Sequence, residues 1–344
     1  MKRIIVDKWG AFLRKKRDRL LITVGKERIF EHPIADIEQI ILPARGAAIS
    51  TDILKAAMEN QIDIVVLDKR GEIVGRFTAK TPHTVTLRKA QIKAQETSIG
   101  AYLAKQFIKG KLRNQHNLLR SLAKNRRRKD PELAKLLETE ARKILEYEHR
   151  IDEITGARAD DLRPHIMAIE AEAATHYWEA IKHLLARYGI EFPGRLKRFD
   201  NPEDPVNMML NLAYTILYNE AHRKIELVGL DPWIGFLHID TSRRAALAVD
   251  LMEEFRQPVV DRAILKIAQA QGENLNNFID KEKNMLTKEA KKTVLENLFQ
   301  RLRERLTFKN TTQPITSHIY LQARRISLLI QGKTSEYTPF TTRW

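Results

Sequence analysis

The sequence predicts an α+β protein, with a small β-rich N-terminal domain followed by a larger all-α domain. Three observations carry this reading. Residues 1–80 consist of short β-branched and aromatic runs broken by turn residues. Beyond them, apolar residues recur at helical spacing to the end of the chain. At 344 residues and 43 % hydrophobic content, the chain has room for one large or two ordinary domains with a real core. The expected divisions are 1–85 for the β-rich domain, 86–95 for a linker and 96–344 for the helical domain.

The elements follow in order. "RIIVDKWGAFLRKKRDRLLITVGKERIFEHPI" reads as strands with turns at Gly10 and Gly25, and "IEQIILPARGAAIS" repeats the pattern. "STDILKAAMENQ" is a short helix that Ser50 or Thr51 can cap. "IDIVVLDKRGEIVGRF" is strand, turn, strand, with the turn at Lys69–Gly71. "TPHTVTLRKAQIKAQETS" is the junction, punctuated by Pro82. Next, Leu103, Phe107, Leu112, Leu118 and Leu122 mark a helical stripe, interleaved with lysines and arginines. Further helices are expected in "RPHIMAIEAEAATHYWEAIKHLLARYG", "PVNMMLNLAYTILYNEAHRKIELVG", "SRRAALAVDLMEEFR", "PVVDRAILKIAQAQ", "TKEAKKTVLENLFQRLRERL" and "SHIYLQARRISLLIQG".

Charge narrows the function classes. Lys and Arg total 60 against 44 for Asp and Glu, a net charge of +16 and a pI near 9.8. Such an excess favours a polyanionic partner, either nucleic acid or an anionic membrane surface. No stretch approaches the ~20 apolar residues of a membrane span, and "MKRIIVDKWG" lacks the apolar run of a signal peptide. Nucleic acid therefore leads. The chain has no cysteine, which excludes disulfides, thiolate catalysis and Cys-ligated metal centres, and which suits a reducing cytoplasm. The run Arg126–Lys129 reads either as a solvated helix end before Asp130-Pro131 or as a phosphate-contacting stripe.

Within this basic chain, "AVDLMEEFRQPVVDR" gathers Asp250, Glu253, Glu254 and Asp261. Residues three or four apart share a helix face, so Asp250, Glu253 and Glu254 are expected to point roughly one way, with Leu247, Leu251 and Phe255 docking the helix on the core. One reading is a solvated acidic face with local salt bridges to Arg243, Arg244 and Arg256. The other is a cation site. His238 ends the apolar run "WIGFLH" and reads as a backbone-satisfied histidine or as a neutral imidazole ligand. Glu170 stands beside the stripe Ile166, Ile169, Ala173, Tyr177 and Ile181, where a carboxylate must be paired or bind a cation. Glu172 reads as solvent-facing. A carboxylate from each of two helices and a histidine from a loop would suit a hard divalent ion. Such an ion can polarise a phosphodiester and stabilise an attacking or leaving oxygen.

These segments resemble the CRISPR-associated Cas1 family of spacer-acquisition integrase-endonucleases. "GLDPWIGFLHID" followed by "LAVDLMEEFRQPVVDR" is similar to its signature, and "IEAEAATHYWEA" to its first ligand segment. "DPVNMMLNLAYTILYNE", the C-terminal "QARRISLLIQGKTSEYTPFTTRW" and the N-terminal "ADIEQIIL", "AISTDILKAAMENQIDIVVLD" and "KRGEIVGRF" resemble further family segments, so the likeness covers nearly the whole chain. The resemblance implies a catalytic Mg²⁺ or Mn²⁺ site formed by Glu170, His238 and Glu253, with Asp250 supporting it; Asn207 and Tyr214 either shape the pocket or serve as an N-terminal cap and a buried tyrosine. It implies metal-assisted insertion of spacer DNA into a CRISPR array, dimerisation through the β domain, assembly with a Cas2 subunit, and work in a prokaryotic cytoplasm. Candidate DNA contacts are Arg113, Arg120, Lys124, Arg126, Arg127, Arg128, Arg243, Arg244 and Arg256. Tyr177 and Trp178 read as core. One departure is Ala171, where the family usually has Gly after its first ligand; little harm is expected, since Ala is the better helix former. The alternatives are a non-catalytic basic nucleic-acid scaffold and a helical interaction protein whose charge serves solubility.

Overall fold

The computed structural model describes residues 2–6, 8–43, 46–68, 73–77, 85–197 and 200–342. The chain divides into two compact units, 1–81 and 82–344.

The first unit holds two four-stranded sheets and one α-helix among its described residues. In one sheet β1 (Lys2–Ile5), β5 (Ile37–Pro43) and β7 (Asp63–Leu67) run parallel, and β8 (Ile73–Phe77) closes the edge antiparallel. In the other, β4 (Glu27–Pro33), β3 (Arg19–Val24) and β2 (Ala11–Lys16) form an antiparallel meander, with β6 (Ala48–Ile49) parallel to β2. The β3–β4 turn uses Gly25 at φ +56°, a conformation that costs glycine no Cβ clash. Ser50 precedes helix α1 (Thr51–Glu59) as its cap residue, although its side chain makes no capping bond. Ile53, Ala56 and Ala57 of α1 join Leu13, Leu20, Ile40 and Ile64 in one core. The expected turn at Lys69–Gly71 and the Pro82 punctuation lie outside the described residues.

The second unit is mostly helical: α2 (Val85–Gln95), α3 (Ser98–Lys124), α4 (Pro131–Glu153), α5 (Ala159–Ala186), α6 (Pro205–Leu227), α7 (Ala246–Glu253), α8 (Arg262–Gln271), α9 (Lys288–Arg303) and α10 (Ile315–Ile330). Thr97 caps α3, Asp130 with Pro131 at the first position starts α4, and Asp204 caps α6. α3, α4 and α5 pack on one another, and α6 packs against α7 and α10. Two hairpins interrupt the helices, β9 (Ile279–Asp280) with β10 (Met285–Leu286) and β11 (Arg305–Phe308) with β12 (Thr311–Pro314). The helical pattern expected through Leu306 therefore stops at Arg303. No helix among the described residues is long and apolar enough to cross a membrane.

The segment expected as a linker, 86–95, is helix α2 instead. Its Leu87, Gln91 and Ala94 are buried, and Gln91 and Gln95 bond the backbone of a loop about 140 residues away in sequence. A linker has no such tertiary partners; these amides read as polar only because their acceptors are remote in sequence.

α7 does not run straight into α8. Residues Arg256–Asp261 form a wider π-type turn. Pro258 has no N–H to give to the carbonyl of Glu254, its partner in a regular helix. Asn114 Nδ2 of α3 donates to that carbonyl at 2.8 Å. The same amide donates to the Phe340 carbonyl and accepts from the Thr342 N–H. The missing bond at Pro258 is thus converted into a joint between α3, α7 and the C-terminal segment.

Candidate active site

All four carboxylates of "AVDLMEEFRQPVVDR" are buried, so the solvated acidic face is not what forms. Nor do they share one task. Asp250 folds a loop, Glu253 meets two cations, Glu254 holds the C-terminal segment, and Asp261 takes two tyrosines.

Asp250 is fully buried. It accepts the backbone N–H groups of Phe236 (2.7 Å), Leu237 (3.0 Å) and His238 (2.9 Å). Its Oδ1 also lies 2.7 Å from His238 Nδ1. A carboxylate only accepts, so Nδ1 carries the proton, and the lone pair is left on Nε2. Asp250 therefore both folds "GFLH" around itself and sets the tautomer of His238. The loop is clamped elsewhere as well. Gln91 donates to the Asp231 and Ile234 carbonyls, Gln95 to the Gly235 carbonyl, and Arg163 of α5 to the Leu237 carbonyl.

Gly235 is required by this packing. A Cβ there would stand 2.6 Å from Ala246 Cβ and 3.0 Å from Asp250 Oδ2. Gly235→Ala is expected to destabilise the protein by about 1–3 kcal/mol through overpacking, read as a lower midpoint in thermal unfolding. A midpoint equal to wild type would show that the loop has room to give.

Glu170 of α5 and Glu253 of α7 converge on the ammonium of Lys111 from α3. Nζ lies 2.5 Å from Glu170 Oε1 and 2.8 Å from Glu253 Oε2. Arg256 holds the other Glu253 oxygen at 2.8 Å. Burial pushes the Glu253 carboxyl up, but Arg256, Lys111 and His238 together outweigh it and bring it down to about 2. Burial likewise pulls the Lys111 ammonium down, and Glu253 and Glu170 outweigh that and leave it above the ordinary lysine value. His238 is tied through Asp250 to α7, one turn before Glu253. Side-chain exposure is 2 % for Glu253, 16 % for Glu170 and 29 % for His238, so the cluster opens on the side of the last two.

The family resemblance points to Glu170, His238 and Glu253. The structure brings the two glutamates onto one cation and orients the histidine. Among the described residues, no three His, Asp or Glu side chains close to metal-ligand distance; Lys111 stands between the two glutamates. Two carboxylates and an imidazole are ligand types that a hard divalent cation accepts, and Asp250 stands behind the histidine as a carboxylate partner.

Tyr214 and Tyr177 both donate to Asp261, the latter at 2.7 Å. Burial pushes Asp261 upward. The Tyr214 ring lies under the guanidinium of Arg256 at 4.7 Å, so it reaches Glu253 through that arginine. Asn207 touches this cluster only at one remove, through Arg195, which lies over the Tyr214 ring at 5.3 Å. It bonds Gly194, Arg195, Leu196 and Asp204, and so organises the start of α6. Tyr177 is core, as expected. Glu172 is solvent-facing and paired with Arg150, and Ala171 lies exposed on α5, where its methyl crowds nothing.

Four of the candidate DNA contacts are engaged within the protein: Arg113 with Glu148, Arg126 with Tyr188, Arg127 with Glu138 and Arg256 with Glu253. Arg120, Lys124, Arg128 and Arg243 are exposed, and exposed Arg244 lies over the Tyr218 ring at 5.0 Å. In the sequence Lys111 is one of several cations along α3. Its signal was positional: it stands on the stripe Ala104, Phe107, Ile108, Leu112 and Gln115, where a lysine must be paired.

The CRISPR associated protein Cas1 family matches residues 4–300 of this chain. A relative from Archaeoglobus fulgidus, named CRISPR-associated endonuclease Cas1 1, is 34 % identical over 99 % of this chain and 100 % of its own. A casposase solved bound to its integration product superposes with a TM-score of 0.80 at 19 % identity, covering 100 % of this chain and 94 % of the casposase. A Cas6-RT-Cas1–Cas2 complex gives 0.73 at 18 % identity, covering 99 % of this chain and 36 % of the longer one. Two-unit fold, family match and full-length relative agree: the chain belongs to the Cas1 family of CRISPR-associated proteins.

Proposed function

We propose that this protein is a metal-dependent DNA endonuclease and integrase that inserts spacer DNA into a CRISPR array. The observation that carries the reading is the convergence of Glu170 and Glu253 on one buried cation, beside a histidine whose tautomer Asp250 sets, in a chain of the Cas1 family. Glu170, His238 and Glu253 would hold Mg²⁺ or Mn²⁺. When bound, the ion supplies Lewis-acid polarisation of the phosphodiester.

The reaction is a transesterification. The 3′-hydroxyl of the incoming fragment forms a new P–O bond at the repeat boundary, the old P–O bond breaks, and a 3′-hydroxyl leaves. One phosphodiester replaces another, so no external energy source is needed. The protein's own groups fix the geometry. Asp250 holds His238 in one orientation, and Arg256 keeps Glu253 charged. The net charge of +16 gathers DNA through its phosphates, with Arg120, Lys124, Arg128, Arg243 and Arg244 as exposed contacts. Homodimerisation and pairing with Cas2 complete the reading. The solved complex in which a Cas1 of this fold stands with Cas2 supports the pairing. The place of work is the prokaryotic cytoplasm.

The test is strand transfer of a short duplex with a free 3′-hydroxyl into a supercoiled plasmid carrying a repeat, with Cas2 and Mn²⁺ present. Joined product is expected from wild type. It is expected to vanish with chelator and to fall at least ~100-fold in His238→Ala, since even groups behind a ligand are worth 10–100-fold. Equal product from the variant would remove His238 from the site. Tight DNA binding by wild type with no product would make this chain a scaffold.

A further inference from the structure

We propose that Lys111 is a built-in counter-cation that occupies the metal position between Glu170 and Glu253, so that loading of a divalent ion displaces its ammonium. The proposal deepens the metal-site reading above and rests on it.

Three observations carry it. The first is contact: Nζ touches one oxygen of each glutamate, at 2.5 and 2.8 Å. A divalent ion held by Glu170 and Glu253 would compete with this ammonium for the two carboxylates. The second is charge. Glu170 and Glu253 bring two negative charges, and Lys111 and Arg256 bring two positive ones. The cluster is neutral as it stands, which is what lets Glu253 remain 2 % exposed without a lone buried charge. A divalent ion added to this set would place its charge against an ammonium at contact distance, and Lys111 is the cation free to move. Arg256 is fixed by its guanidinium over the Tyr214 ring, whereas a lysine carries a point charge on a flexible four-carbon stem. The third is bonding. Lys111 Nζ donates to Glu170 Oε1, whereas its 2.8 Å approach to Glu253 Oε2 is poorly aligned and leaves that buried oxygen short of a geometrically good hydrogen bond.

Lys111 then has a definite role. It keeps two carboxylates from repelling each other before metal arrives, and it sets a threshold for metal binding. It is a positioning residue, not a ligand.

The test is Mn²⁺ binding by titration calorimetry to the full-length protein at constant pH, with no DNA present. Lys111→Met keeps the length of the stem and removes the charge. It is expected to bind Mn²⁺ roughly ten- to a hundredfold more tightly than wild type, the range by which groups behind a metal alter affinity. Its thermal midpoint is expected to be lower than wild type without metal and to rise further on Mn²⁺ addition. Lys111→Gln is measured in parallel and carries the test if the methionine variant does not fold. Equal or weaker Mn²⁺ binding in a folded variant would overturn the proposal. His238→Ala separates this from failure of the site itself. Weaker Mn²⁺ binding in His238→Ala upholds the site. Unchanged binding there would overturn the metal-site reading, and the role of Lys111 with it.

Discussion

Asp250→Ala is expected to cost about 3–5 kcal/mol of stability and to remove strand transfer altogether. The side chain is fully buried and accepts four hydrogen bonds, three of them from backbone N–H groups. Removing it leaves those donors buried without an acceptor, at about 1–3 kcal/mol each where water does not reach them. The loop 235–238 loses the anion it is folded around, and His238 loses its orientation. Thermal or urea unfolding reads the first effect. Asp250→Asn separates the second from it. Its amide keeps one acceptor oxygen for Phe236 and Leu237, so the stability loss is expected to be smaller, about 1–2 kcal/mol. The amide NH₂ would then face the His238 N–H, which loses its acceptor, and His238 Nδ1, which must turn acceptor and leave the proton on Nε2. That nitrogen has no lone pair to give. A folded Asp250→Asn with its Nε2 protonated by ¹⁵N NMR, and with Mn²⁺ affinity reduced roughly 10–100-fold, is the expected result. Wild-type affinity in that variant would show that Asp250 acts on the fold alone.

Glu254→Gln is expected to remove a pH dependence of stability that wild type shows between pH 4.5 and 7. Glu254 is fully buried. It takes the Tyr337 hydroxyl at 2.5 Å, the Phe340 N–H at 2.6 Å and Gln322 Nε2 at 2.8 Å. Burial outweighs these bonds and pushes the carboxyl up to about 7. In the unfolded chain it titrates near 4.5. Between these values the folded state holds a proton that the unfolded state has released. Stability from this group is therefore full below pH 4.5 and is lost as pH rises through 7, about 3 kcal/mol in all. Glu253, one residue away, runs the other way. Its folded value of about 2 lies below the unfolded one, so its contribution is present above pH 4.5 and is lost as pH falls toward 2. Urea unfolding in metal-free buffer across pH 4–8 reads both. Glu254→Gln, a neutral mimic of the protonated acid, is expected to flatten the upper window and leave the acid limb in place. An unchanged upper window would assign that slope to other groups. The C-terminal segment is what Glu254 serves: Phe340 stacks on Phe255 at 4.7 Å, and at buried Gly110 a Cβ would meet Pro339 at 2.7 Å and Glu254 Cγ at 3.0 Å.

Local pattern carried much of this protein. Alternation and β-branched runs marked the sheets, and helical spacing marked α3 through α10, because periodicity follows from which face an element buries. The same spacing flagged Ile166, Ile169, Ala173, Tyr177 and Ile181 as buried, and they are. Motif order along the chain pointed to the Cas1 family and to Glu170, His238 and Glu253.

What the sequence by itself determined was therefore the class of fold and the family, and through the family it named candidate residues for the site. Tertiary structure alone decided what each charge does. Asp250, Glu253, Glu254 and Asp261 look alike in a sequence, yet one folds a loop, one meets Lys111 and Arg256, one holds the tail and one receives two tyrosines. Gln91 and Gln95 look like linker residues until their acceptors arrive from the loop 231–235. Lys111 looks like one more basic residue until α5 and α7 deliver carboxylates to it. The reason is common to all of them. Burial follows from the periodicity of one element, but the partner of a buried polar group is set by which other element packs against it, and that separation in sequence leaves no local trace.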